Sequence, residues 1–123
     1  MQAIVVDDSK AMRSILARLL RERGFEVSEA EHGRAALERL AESASPPDLM
    51  LVDWNMPEMN GYELVCAVRQ DPKWNDVRLM MVTTETEMSQ LVKALEAGAN
   101  EYLMKPFTRE ALVEKLTLLG FEE

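Results

Sequence analysis

Leu49-Met50-Leu51-Val52-Asp53-Trp54-Asn55-Met56-Pro57-Glu58-Met59-Asn60-Gly61 begins as a short apolar run, ends abruptly in one carboxylate, Asp53, and is then broken by Asn55, Pro57, Asn60 and Gly61. Those breakers are loop and turn residues. An apolar run bounded in this way reads as a strand buried on both faces, as in a parallel sheet. Asp53 then stands at the carboxyl end of a central strand, where open α/β sheets place their ligands. A carboxylate there can be an inert cap, a metal ligand or a nucleophile, and the rest of the chain has to choose.

The same pattern recurs on either side. Ala3–Val6 is a second apolar run and stops at Asp7 and Asp8. Ser9 is placed to cap a helix whose stripe is Met12, Ile15, Leu16, Leu19 and Leu20, closed by Gly24. Phe25–Ala30 alternates as an edge strand does, Gly33–Glu42 is a weaker helix, and Ser43–Pro47 is a loop. Tyr62–Gln70 is helical through Leu64, Val65 and Val68, and Asp71–Asp76 is a polar loop. Leu79–Thr83 is another strand, ending in the hydroxyls of Thr83 and Thr84. Met88, Leu91, Val92 and Leu95 predict a helix closed by Gly98; Glu101–Met104 is a strand ending at Lys105-Pro106; Thr108 starts a last helix through Leu112, Leu116 and Leu119. Strand and helix alternate five times. That order predicts right-handed βαβ crossovers, an α/β doubly wound five-stranded parallel sheet of (βα)5 type, and one domain over residues 1–123.

Composition narrows the function. The chain has 123 residues, 47% hydrophobic, with a formal net charge of −8. The length suits a single domain with a real core. The acidic balance argues against nucleic acid; it serves solubility, with a cationic partner as the alternative. The single Cys66 excludes an internal disulfide and suits a reducing cytoplasm. No apolar run approaches the ~18 residues of a membrane span, and no signal-like segment opens the chain. The expectation is a cytoplasmic domain that engages neither nucleic acid nor membrane.

In a parallel sheet every strand C-terminus lies on one edge. That edge collects Asp7 and Asp8, Asp53, Thr83 and Lys105. Like charges ~4 Å apart repel by a few kcal/mol at an effective dielectric near 20, so three carboxylates call for a cation. An all-oxygen set points to a hard ion such as Mg²⁺, with the Asn55 backbone carbonyl placed to complete the shell. Lys105 and Thr83 bind no cation but donate hydrogen bonds to an anion. Together these groups suit phosphoryl transfer in which Asp53 attacks and becomes an aspartyl phosphate. Taken one at a time, each residue reads equally as a strand terminus or an ion-pair partner. All of them at one sheet edge read as a site.

The motifs Val5-Val6-Asp7-Asp8-Ser9, Leu51-Val52-Asp53-Trp54-Asn55-Met56-Pro57, Gly61, Val82-Thr83-Thr84 and Leu103-Met104-Lys105-Pro106-Phe107-Thr108 make the whole chain resemble the receiver domain of bacterial two-component response regulators, and within that family the single-domain chemotaxis regulators. The resemblance implies a flavodoxin-like strand order 2-1-3-4-5 and a cis bond at Pro106. It implies Asp53 as phosphoacceptor from a histidine kinase, Mg²⁺ held by Asp7, Asp8, Asp53 and the Asn55 carbonyl, and Lys105 on the phosphoryl group. It implies that Thr83 moves to the phosphoryl while Tyr102 turns inward, changing protein binding on the face from the fourth helix through the fifth strand to the fifth helix. The implied partner is a downstream protein such as the flagellar motor switch, with a monomer that dimerises, if at all, on phosphorylation. Asn55 and Glu85 resemble the pair found in rapidly self-dephosphorylating members, which implies a phosphate lifetime of seconds to a minute or so. Thr84 departs from the small residue common at its position and stands to narrow access to the phosphate.

Other readings compete. A phosphorelay or phosphate-sink receiver, or a receiver cut from a longer regulator, fits the same motifs. A Mg²⁺-dependent phosphohydrolase would use the same nucleophile, but no general acid lies two residues after Asp53, and no cap domain is present. A dinucleotide-binding module is discounted because no Gly-x-Gly-x-x-Gly follows Val6. The preferred reading is therefore not an enzyme with a separate substrate, but a phosphoacceptor that catalyses its own phosphorylation and dephosphorylation. Among the remaining residues, His32 reads as a surface residue, Cys66 as core, and Met56 and Met59 as exposed candidates for a docking surface.

Overall fold

The structure is a computed structural model that describes residues 1–121, apart from the side chain of Glu85. Its elements, in chain order, are β1 (Gln2–Val6), α1 (Lys10–Glu22), β2 (Glu26–Ala30), α2 (Gly33–Glu42), β3 (Leu49–Asp53), α3 (Gly61–Arg69), β4 (Arg78–Thr84), α4 (Leu91–Ala97), β5 (Glu101–Lys105) and α5 (Arg109–Leu118). Short 3-10 turns, Pro72–Trp74 and Glu85–Gln90, precede β4 and α4. All pairings are parallel and the strand order is β2-β1-β3-β4-β5, as expected.

The period-2 alternation of the inner strands sorts their side chains into two cores. Ile4, Val6, Met50, Val52, Leu79 and Met81 face α2, α3 and α4, where they meet Leu40, Leu64, Val68 and Leu91. Ala3, Val5, Leu49, Leu51, Met80 and Val82 face α1 and α5, meeting Leu16, Leu20, Leu112 and Leu116. β3 is buried at every position, which explains why its sequence does not alternate.

Helix starts follow local chemistry. The Ser9 hydroxyl accepts the Met12 N–H (3.2 Å), and Thr108 accepts that of Ala111 (3.0 Å). Asn60 and Glu63 form a capping box at α3. His32, expected to be a plain surface residue, caps α2 by accepting the Ala35 N–H on Nδ1 at 3.1 Å. The Lys105-Pro106 bond is cis, as expected.

Four local expectations need revision. Residues 71–76 are not merely a polar loop, because Trp74 is buried on the 3-10 turn and packs into the core. Met56 is buried rather than available for docking, and Met59 is half-buried. Cys66 is at intermediate exposure rather than in the core. On α4 the buried residues are Leu91 and Ala94, while Val92 and Leu95 are 62% and 38% exposed. The segment before α4 winds as a 3-10 turn at about three residues per turn, so the stripe expected from Met88 onward does not continue in phase.

Arg69, at the end of α3, ties this region together. It donates to the carbonyls of Gly98 (3.0 Å), Trp74 (2.9 Å) and Val77 (2.7 Å) and to the Asn100 side-chain oxygen (2.9 Å). At the other end of α3, the Gly61 N–H donates to the Trp54 carbonyl (2.9 Å), closing the loop that follows β3. A Cβ at Gly61 would lie 2.6 Å from the Asp53 carbonyl oxygen and 3.1 Å from the Trp54 Cα, both backbone atoms that cannot step aside. Gly61→Ala is therefore expected to destabilise the fold by about 1–3 kcal/mol, read as a lower urea midpoint; an unchanged midpoint would mean that the loop yields freely.

Candidate functional site

The parallel register brings the strand ends level: Asp53 pairs with Val82, Thr84 with Lys105, and Val6 with Val52, so Asp7 and Asp53 emerge side by side. One carboxylate oxygen from each of Asp7, Asp8 and Asp53 lies within 4.8 Å of the others. Asp7 and Asp53 are buried, whereas Asp8 is exposed. Lys105 reaches over from β5 with its Nζ 2.8 Å from Asp53 Oδ1 and 3.8 Å from Asp7 Oδ2.

The electrostatics follow from this burial. Loss of water pushes the Asp53 carboxyl up from 3.8 to about 6; the Lys105 hydrogen bond opposes that rise and the Asp7 charge adds to it. Burial likewise raises Asp7, whose Oδ1 accepts the Ser9 N–H at 2.8 Å. Burial alone would lower Lys105, but its bond to Asp53 outweighs this and holds the ammonium above its usual range. Among the described residues, Asp7 Oδ2 is a buried oxygen without a hydrogen-bond partner. An orphaned buried oxygen beside two further carboxylates is a donor set that a hard divalent cation would satisfy.

The other predicted residues surround this group. Thr83 is fully buried, and its hydroxyl turns toward the Thr84 carbonyl (3.2 Å) and a Glu87 carboxylate oxygen (3.4 Å). The Asn55 side-chain amide donates to the other Glu87 oxygen, and its backbone carbonyl follows Asp53 at the same edge. The expected role of Glu85 falls on a side chain outside the described residues. Tyr102 is half-buried on β5, with Lys115 Nζ 4.0 Å from its ring centroid; Lys115 also pairs with Glu101 at 3.1 Å.

Sequence reasoning missed Glu87. The available signal was local: Thr84-x-x-Glu87 has the spacing of a capping box, and the Glu87 carboxylate does accept the Thr84 N–H at 2.9 Å.

The chain is similar to known proteins over nearly its whole length. The family model described as response regulator receiver domain matches residues 3–117. Chemotaxis protein CheY1 of Helicobacter pylori is 45% identical over 120 residues, covering 97% of this chain and 96% of that protein. Chemotaxis protein CheY of Pseudomonas aeruginosa is 41% identical over 117 residues, covering 94% and 93%. Among solved structures, chemotaxis protein CheY4 of Vibrio cholerae superposes with a TM-score of 0.87 at 34% identity, covering 96% of this chain and 97% of that one.

Between 3.8 and about 6 the folded chain holds a proton on Asp53 that the unfolded chain has released, so stability falls as pH rises through that window. In the presence of a chelator, Asp53→Asn is expected to show a smaller fall, the part due to Asp7 remaining, and to exceed the parent near neutral pH by about 1–3 kcal/mol of unfolding free energy. Parallel pH profiles in urea would refute the burial argument.

Proposed function

The chain belongs to the response regulator receiver domain family, and from that membership we propose that residues 1–123 act as a single receiver domain whose Asp53 accepts a phosphoryl group from a histidine kinase. The observation that carries this reading is the 2.8 Å contact of Lys105 with Asp53 beside the orphaned oxygen of Asp7. Asp7, Asp8 and Asp53, with the Asn55 backbone carbonyl, would hold Mg²⁺. When bound, the ion neutralises negative charge on the carboxylates and on the transferring group.

In the transfer, an Asp53 carboxylate oxygen bonds to phosphorus. The bond from phosphorus to the donor nitrogen breaks, and the electron pair leaves with the kinase imidazole. Lys105, freed from its pairing with Asp53, donates to the phosphoryl oxygens. Phosphorylation adds roughly −1.5 to −2 charges and three strong acceptors. Thr83 turns its hydroxyl to the phosphoryl, and Tyr102 moves inward into the room this leaves. Shifting such an equilibrium from 1:99 to 99:1 needs about 5.5 kcal/mol. Three hydrogen bonds to charged groups, at about 1.5–3 kcal/mol each, supply about 4.5–9 kcal/mol, a range that spans this requirement.

The surface that changes is the face of α4, β5 and α5, where Val92, Leu95 and Met104 are exposed. Because the relatives at 45% and 41% identity are named chemotaxis proteins, we take the output to be protein binding in chemotaxis, at a flagellar motor switch. Among the described residues, no helix is long and apolar enough to cross a membrane. The setting we propose is the cytoplasm, with neither nucleic acid nor membrane as partner, and with a monomer that dimerises, if at all, on phosphorylation.

Incubation with Mg²⁺ and acetyl phosphate is expected to add one phosphoryl group by intact mass, with no gain under chelation or in Asp53→Asn. Lys105→Arg is expected to be phosphorylated without the change in partner binding. After removal of the donor, label should be lost within seconds to a minute or so. Retained phosphorylation of Asp53→Asn would sink the assignment, and a lifetime of hours would sink the proposed rate.

A further inference from the structure

Glu87 is no part of the strand-end constellation, yet its carboxylate stands at the mouth of the same site. It is carried by the 3-10 turn directly after β4 and is only 9% exposed, an unusual burial for a carboxylate. One oxygen accepts the Thr84 N–H at 2.9 Å and faces the Thr83 hydroxyl at 3.4 Å; the other accepts from the Asn55 side-chain amide. A single carboxylate thus gathers donors from the loop after β3 and from the last two residues of β4. A phosphoryl group on Asp53 is a second anion drawing on the same wall. A hydroxyl has one proton to give, and in the resting protein Glu87 shares it with the Thr84 carbonyl at 3.2 Å, so Thr83 cannot serve these acceptors and the phosphoryl group at once.

We propose that Glu87 is a built-in competitor of the phosphoryl group: its carboxylate holds the Thr83 hydroxyl in the resting protein and has to leave when Asp53 is phosphorylated. The inference rests on the reading of Asp53 as phosphoacceptor. Departure of Glu87 breaks its bonds to Thr84 and Asn55. Because Glu87 belongs to the turn that leads into α4, it also moves the start of that helix. The plainer alternative is that Glu87 only caps its turn. A cap stabilises the fold, but its loss does not hasten a chemical step.

Glu87→Gln keeps the length of the side chain and an oxygen for the Thr84 amide while discarding the charge. At fixed Mg²⁺ and acetyl phosphate, its initial rate of phosphoryl gain is expected to exceed the parent's by about fivefold or more, since one like charge no longer faces the incoming dianion. Thermal unfolding verifies that the variant is folded. Glu87→Asp retracts the carboxylate from Thr83 and is expected to shift the rate in the same direction, so it stands in should the Gln variant not fold. An equal or lower rate in the folded variant, with the parent phosphorylated, overturns the inference and leaves the Asp53 assignment intact. Absence of phosphorylation in both proteins overturns the two together.

Discussion

Two carboxylates, Asp7 and Asp53, sit almost out of water, and a third, Asp8, stands close beside them. Like charges so placed repel, and burial removes the solvent that would screen them. Lys105 answers part of this charge, but it lies within hydrogen-bond distance of Asp53 and not of Asp7. The edge therefore carries more negative charge than Lys105 alone answers. The apolar interior must be stable enough to hold such a group in place. It does so with two cores on opposite sides of the sheet and a central strand buried at every position.

The topology turns that tension into a site. Strands in parallel register end at one level, so residues far apart in sequence reach the same few ångströms without any long loop. Asp53 and Lys105 are 52 positions apart, yet their side chains meet at 2.8 Å. The connecting segments then supply what strands cannot: a tight closure at Gly61, and a donor from Asn55 and an acceptor from Glu87.

How far the sequence foretold this depended on the kind of signal. The strands were legible because each is a short apolar run cut off by a polar residue, and the strand-end residues were legible for the same reason. α1 was legible through its stripe and its Ser9 cap, both local features. α4 was not, since the 3-10 turn before it breaks the helical phase and leaves Val92 and Leu95 outside. Met56 and Trp74 defied their polar surroundings because tertiary packing, not the local stretch, buries them. His32 as a cap and Glu87 as a buried acceptor depend on side-chain direction, which periodicity does not report.

Arg69 has a mechanical meaning for α4. Its guanidinium grips the Gly98 carbonyl just past the C-terminal end of that helix, and the same group holds the chain at Trp74 and Val77. The opposite end of α4 continues from the turn that carries Glu87, whose hold is a few hydrogen bonds at the site. A rod clamped at one end and latched at the other pivots about the clamp. Were the latch released as proposed for Glu87, the largest travel would be at the end next to that turn, and exposed Val92 would sweep farther than Leu95.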